Sequence, residues 1–185
     1  MLAVYPAAVL RAACLLVLLL VAAGLSVRLT REDSRPLTAL TAPGATGQIQ
    51  AEQTARIAAG GPARVYVSLH LNGGPASQRG TETYYNPSRD PGAGDWVLAS
   101  CIQRHVVAAL AEVGYVTLDR GVKNDLSAGK PYGHFFSLRG PEPSALLEAL
   151  FLSNPTEAAL LRDDATRDAI AHGIAQGILE YLAES

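Results

Sequence analysis

Cysteine is scarce in this sequence, and its two occurrences, Cys14 and Cys101, lie far apart. Two such thiols define neither a disulfide framework nor a zinc knuckle, so the redox compartment stays open. Charge is sparse as well: charged residues make up 17% of the chain and the formal net charge is −2. No basic cluster and no basic stripe interleaved with aromatics occurs, which excludes an electrostatically driven nucleic-acid binder. A glycine-rich phosphate loop, a serine nucleophile elbow, a Cys–His pairing and an internal repeat are all missing too. What is present is a hydrophobic fraction of 49% in 185 residues. That is enough for one domain with a real core, and it argues against disorder.

A long apolar run is also lacking. Ala12 to Leu25 is apolar, with Arg11 before it and Arg28 and Arg31 after it. A membrane-spanning helix needs about 20 apolar residues, so no integral span is expected here. Residues 1–23 have an alternative reading as a signal peptide, with Arg11 as a thin basic region and Val21-Ala22-Ala23 as a small-residue cleavage site. The reading adopted is a buried helix from Arg11 to Ala23, stopped by Gly24 and followed by a strand from Leu25 to Thr30.

Arg31 to Gly47, rich in Thr, Pro and Gly, predicts a surface loop. Gln48 to Ala59 reads as a short helix closed by Gly60-Gly61-Pro62. Arg64 to Leu71 alternates as a strand, with Val65, Val67, Leu69 and Leu71 on one face and Tyr66, Ser68 and His70 on the other. Thr81 to Tyr85 predicts another strand, and Asn86 to Gly94 a turn-rich connection. Asp95 to Val113 has helical periodicity. An extended piece at Tyr115 to Leu118 precedes an irregular polar segment from Asp119 to Gly133, and His134 to Leu138 predicts a short strand. Asn154, Pro155 and Glu157 form an N-cap, a first-turn proline and a capping box. The last helix, Asp163 to Ala183, buries Ile170, Ile174 and Ile178, with Gly173 and Gly177 allowing close approach to the sheet. Strands alternating with helices make the class α/β: a single domain with a twisted, mostly parallel or mixed sheet flanked by helices.

One stretch breaks the expected pattern. From Ala145 to Leu152 the chain is apolar except for Glu148. On a strand, Leu146, Glu148 and Leu150 share one face and Leu147 and Ala149 the other, so neither face looks solvated. Glu148 is then either a carboxylate with a raised pKa, suited to acid–base work near neutrality, or an exposed group at a sheet edge. His70 also ends an apolar strand. By itself it reads as a histidine hydrogen-bonded to backbone; converging with Glu148 at the ends of strands, it reads as a metal ligand beside a base for metal-bound water. His105 and His172 fit structural and solvated helix positions, and His134 lies in irregular chain.

Several stretches together resemble the zinc-dependent N-acetylmuramoyl-L-alanine amidases, which cleave peptidoglycan. Val67-Ser-Leu-His-Leu-Asn72 is similar to that family's Ser-x-His-x-Asn strand. Gly80-Thr-Glu-Thr-Tyr-Tyr85 resembles the glycine-started strand that follows, and Arg120-Gly-Val-Lys123 the Arg-Gly-Val-Lys turn. Leu147 to Pro155 resembles the strand bearing the catalytic glutamate. Ala23 to Asp33 resembles the family's second strand and Thr-Arg turn, and Arg56 fits the helix before the histidine strand. These motifs run in the family's order over residues 12–185, leaving 1–11 as a non-matching extension.

The resemblance implies Glu148 as catalytic base, His70 as ligand to one zinc ion, and Asn72 as a substrate-cleft residue. It implies hydrolysis of the amide between N-acetylmuramic acid and L-alanine of the stem peptide, by a monomer acting outside the cytoplasm in the cell envelope. The family's first strand, with its His-Gly-Gly turn, and a glutamate on the next helix have no match, so the chain is expected to lack the first strand and the first two metal ligands. Glu32 and Glu52 do not occupy matching positions. The alternative is a catalytically inactive, amidase-like protein that binds murein or regulates a partner.

Overall fold

The computed structural model describes residues 7–30, 36–38, 44–89 and 92–185. The first helix, α1 (Ala7–Ala22), is built from Ala, Leu and Val apart from Arg11 and Cys14. Gly24 stops it in the left-handed conformation, φ +83°, while its N–H donates to Val21 O and that of Leu25 to Leu20 O. The helix and its glycine stop match the expectation, but its burial does not. Of the side chains described, Leu20 is buried while Leu18 and Val21 are exposed, because the helix packs along one side on the last helix, Asp164–Glu184. The strand expected from Leu25 to Thr30 does not form. No ladder reaches it among the described residues, and it is held instead by Leu25 and Val27 on the main core and by Arg28 at the carbonyls of Ala59 and Gly60. Most of the loop predicted at Arg31 to Gly47 lies outside the described residues, as do Glu32 and residues 1–6.

Helix α2 (Gly44–Gly60) precedes β1 (Tyr66–Asn72) and β2 (Thr81–Tyr85). Then come α3 (Gly92–Glu112), β3 (Asp119–Asn124), β4 (Ser144–Phe151), α4 (Pro155–Leu160) and α5 (Asp164–Glu184). The four strands lie in the order β1-β4-β2-β3. β1 runs parallel to β4 and β2 parallel to β3, while β2 and β4 are antiparallel, so the sheet is mixed. β4 sits inside the sheet with a neighbour on each side. The edge reading of Glu148 is thereby excluded.

Two expectations fail around β3. The strand occupies Asp119–Asn124, where an irregular segment was expected, and the Tyr115 to Leu118 piece makes no ladder. An edge strand tolerates polar residues because only one side is paired, and Asp-Arg-Gly-Val-Lys-Asn hides its strand character in composition. The predicted strand at His134 to Leu138 is instead a 3-10 turn over Phe136–Leu138. It packs Leu138 against Tyr84 and Leu146.

The main core lies on one side of the sheet. Ala145, Leu147 and Ala149 of β4 meet Leu98, Ile102 and Val106 of α3 and Ile170, Ile174 and Ile178 of α5. Gly173 and Gly177 do allow a close approach, but to α3 rather than to the sheet. A Cβ on either would stand 2.6 Å from the Cα of Val106 or Ile102, because α5 packs backbone to backbone on α3. The opposite face carries His70, Glu82 and Glu148 together with Tyr84 and Leu146, and α2 packs on the Phe136–Leu138 turn. The β1–β4 ladder slips after His70 and Glu148, so Ala149 and Leu150 together oppose Leu71. Leu150 packs in the helix-side core, not beside Glu148 as strict alternation predicts.

Asn154 caps α4 as expected, accepting from the N–H of Thr156 and Glu157. The capping box does not close. Glu157 is buried and accepts instead from the backbone N–H of Gly80 and Phe151 and from the Tyr115 hydroxyl, tying α4 to the strands.

Candidate active site

The site grows from one row of residues across three strands. His70 on β1 pairs in register with Glu148 on β4, and Glu148 pairs with Glu82 on β2. Laterally paired residues project to the same face, so an imidazole and two carboxylates stand side by side on the face away from the main core. The sequence placed His70 and Glu148 together; Glu82 was not singled out.

His70 and Glu148 share one circumstance, and their pKa values move in opposite directions. His70 Nε2 and Glu148 Oε2 are buried atoms with no hydrogen-bond partner. Burial, helped by the charge of Arg56, pulls the His70 pKa down to about 4, so its imidazole is neutral at pH 7. Burial, reinforced by the neighbouring charge of Glu82, pushes Glu148 up to about 8, while Lys130 acts the other way. Buried polar groups are nearly always satisfied, and an orphaned atom on each of two adjacent ionisable side chains marks a place that awaits a ligand.

Glu82 is fully satisfied. Its Oε1 accepts from Asn72 Nδ2 at 2.6 Å and from the Tyr84 hydroxyl at 2.9 Å. Its Oε2 accepts from Arg120 Nε at 2.7 Å and from Lys123 Nζ at 2.5 Å. Burial would raise its pKa, but the donors, Lys123 foremost, hold it near 2. Local backbone explains how both cations reach one carboxylate. Residues three apart on a regular strand point to opposite faces, but the β2–β3 ladder pairs Thr81 with Asp119 and Thr83 with Val122. Arg120 and Gly121 therefore form a bulge opposite Glu82, with Gly121 at φ +76°.

The remaining candidates are placed elsewhere. Asn72 is engaged at both ends, by Glu82 and by the Gly73 N–H. His134 Nδ1 lies 2.7 Å from buried Asp125. His105 pairs with Glu180, and His172 is exposed on α5. Glu52 binds Arg56 and the backbone N–H of Leu37 and Thr38. Cys14 is exposed and Cys101 buried in the main core.

These positions decide how far the described residues match a metal. A catalytic zinc site uses three protein ligands and an open position. The described residues include no group of three His, Cys, Asp or Glu able to hold an ion. His70 Nε2, neutral and unpartnered, has the chemistry of one ligand, but it does not make a site with the described residues alone.

Comparison with known proteins adds the family. Residues 8–180 match the profile described as N-acetylmuramoyl-L-alanine amidase. The chain belongs to that amidase family. It is 33% identical over 130 residues to the uncharacterized protein YqiI of Bacillus subtilis, covering 70% of this chain and 57% of that one. It is 29% identical over 124 residues to the germination-specific N-acetylmuramoyl-L-alanine amidase of the same organism, covering 66% and 46%. The match thus spans less than two thirds of the length of either relative. Among solved structures, the CwlD amidase from Clostridioides difficile, in complex with the GerS lipoprotein, superposes with a TM-score of 0.76 at 26% identity. That match covers 95% of this chain and 85% of that one. The α/β fold is the amidase fold.

Proposed function

We propose that this amidase-family chain hydrolyses the amide joining the lactyl group of N-acetylmuramic acid to L-alanine of the peptidoglycan stem peptide, with Glu148 as acid–base catalyst. The observation that carries the reading is the His70–Glu148 pair, in register on adjacent strands, each with a buried polar atom left open. A carboxyl that titrates near neutrality can take a proton and give it back. Glu148 Oε2 accepts a proton from the attacking water as the carbon–oxygen bond forms, and returns it to the leaving nitrogen as the carbon–nitrogen bond breaks. The apolar walls from Leu146 and Tyr84 keep bulk water from competing for that proton.

The family is generally zinc-dependent. Bound zinc polarises a carbonyl and acidifies a water, and His70 Nε2 is the atom of this chain suited to hold it. Asn72 stands beside the row of His70, Glu148 and Glu82 and holds Glu82 by donating to its Oε1. The substrate places the activity in the cell envelope, outside the cytoplasm, and no described helix is long and apolar enough to cross a membrane.

The test is digestion of purified peptidoglycan, with new amino-terminal alanine and the zinc content of the protein both measured. Release of stem peptides that ceases in Glu148→Gln supports the assignment. Tight binding to murein with no cleavage and no zinc would favour the non-catalytic alternative.

A further inference from the structure

The site face has a surplus of positive charge that the acid–base chemistry does not use. Arg120 and Lys123 both bind Glu82, a single carboxylate that is 3% exposed, and keep 26% and 30% of their side chains open to solvent. The Lys130 side chain makes no hydrogen bond or ion pair among the described residues, and its charge acts on Glu148. Three cations thus face two carboxylates, so a positive charge is left over even with Glu148 ionised. Arg56 adds nothing to this surplus, since it is paired with Glu52. The local excess stands against a chain whose net charge is −2.

Each cation retains donors. One of the three Lys123 N–H groups is used by Glu82. Arg120 commits Nε to Glu82 and Nη1 to the Arg79 carbonyl at 3.5 Å, which leaves Nη2, and its guanidinium lies 5.1 Å over the Phe151 ring. Glu82 holds the pair in place, so little side-chain entropy is lost when a further anion binds. Substrate chemistry says which half that anion belongs to. Once the lactyl carboxyl is in amide linkage, the glycan half of a muropeptide is uncharged, whereas the peptide half carries free carboxylates.

We propose that Arg120 and Lys123, positioned by Glu82 and joined by Lys130, form a receptor for a free carboxylate on the stem peptide beside the scissile amide. The receptor rests on the amidase reading of the site and adds to it a preference. Stem peptides whose acidic second residue keeps its α-carboxylate are taken over those in which that group is amidated.

The probes are the γ-methylamides of N-acetylmuramoyl-L-alanyl-D-glutamate and of its α-amide, which differ only in the α-carboxylate, titrated calorimetrically into the 185-residue chain. A chelator keeps the fragments intact. The free acid is expected to bind about tenfold more tightly, as for one added charge-assisted contact. Lys123→Gln, which retains a donor for Glu82 but removes the charge, is expected to cut that ratio to about threefold or less, and Lys123→Arg to restore it; Lys130→Gln, which leaves Glu82 untouched, is expected to reduce it separately. Equal affinity for the two fragments overturns the receptor and leaves the amidase reading standing. So does a ratio that survives both glutamine variants. Failure to bind either fragment overturns the receptor and the amidase reading together.

Discussion

His70 and Glu148 occupy one rung of the parallel ladder between β1 and β4, and each buries a polar atom that nothing in the described chain satisfies. A stable core would fill such a place with apolar side chains, because an unsatisfied buried polar group costs about 1–3 kcal/mol. Keeping two of them side by side is a feature of a site rather than of a core.

Removing the proton acceptor while keeping the shape isolates the chemistry. Glu148→Gln is expected to lower turnover of muropeptide by about 10²- to 10⁴-fold, the usual yield of a positioned acid–base group. Its far-ultraviolet spectrum should match the parent, and its melting temperature at pH 7 should be no lower, since the variant carries no carboxyl to ionise at this buried position. Turnover above a tenth of the parent rate would remove Glu148 from the mechanism.

The same pair makes the metal-free protein respond to pH in a defined way. Glu148 titrates near 8 in the fold, above the ordinary carboxylate value, so its contribution is complete below that ordinary value and is lost as pH rises through about 8. His70 titrates near 4, below its ordinary 6.5, so its contribution is present above 6.5 and is lost as pH falls towards 4. Between about pH 6.5 and 8 only the Glu148 slope operates, and the melting temperature should decline. Thermal scans in chelator should show that decline in the parent and a flatter profile in Glu148→Gln. A rise over this window would contradict the placement of Glu148.

Glu82→Gln addresses the network beside the rung. It withdraws the acceptor shared by Arg120 and Lys123, leaving two cations that must rehydrate, and is expected to cost about 2 kcal/mol in urea unfolding. It also removes a negative neighbour of Glu148, so the Glu148 pKa should fall towards its ordinary value. Nuclear magnetic resonance titration of the side-chain carboxyl carbon checks the direction.

Gly177→Ala tests the helix packing far from the site. The added methyl would lie 2.6 Å from the Ile102 Cα, on backbone that cannot step aside as a side chain could. Overpacking of this kind costs about 1–3 kcal/mol, so a fall of that size in unfolding free energy is expected, with no change in the affinity for muropeptide fragments.

Local pattern revealed the elements whose residues agree with their surroundings. The alternation of Val65 to Leu71 gave β1, the period of α3 gave its buried stripe, Gly24 marked the end of α1, and Asn154 the start of α4. It failed where a neighbour overrides the local signal. Polar β3 is a strand because β2 offers it a ladder, and Leu25 to Thr30 is none because no described neighbour does. Glu157 reads as a capping box by spacing alone, yet the tertiary fold brings Gly80, Tyr115 and Phe151 within its reach.

For the site, the sequence by itself showed Glu148 with apolar neighbours at i±1 and i±2, and His70 with apolar neighbours at i±1 but Ser68 and Asn72 at i±2, which singles out both residues without fixing their burial. Only the tertiary structure decided that they share a rung, that Glu82 stands on the other side of Glu148, and that Arg120 and Lys123 converge on Glu82. Strand order and register are long-range choices, and a single bulge at Gly121 changes which side chains meet. No reading of neighbours along the chain can supply that, because the charge that helps raise the Glu148 pKa sits on Glu82, on a different strand and far away in sequence.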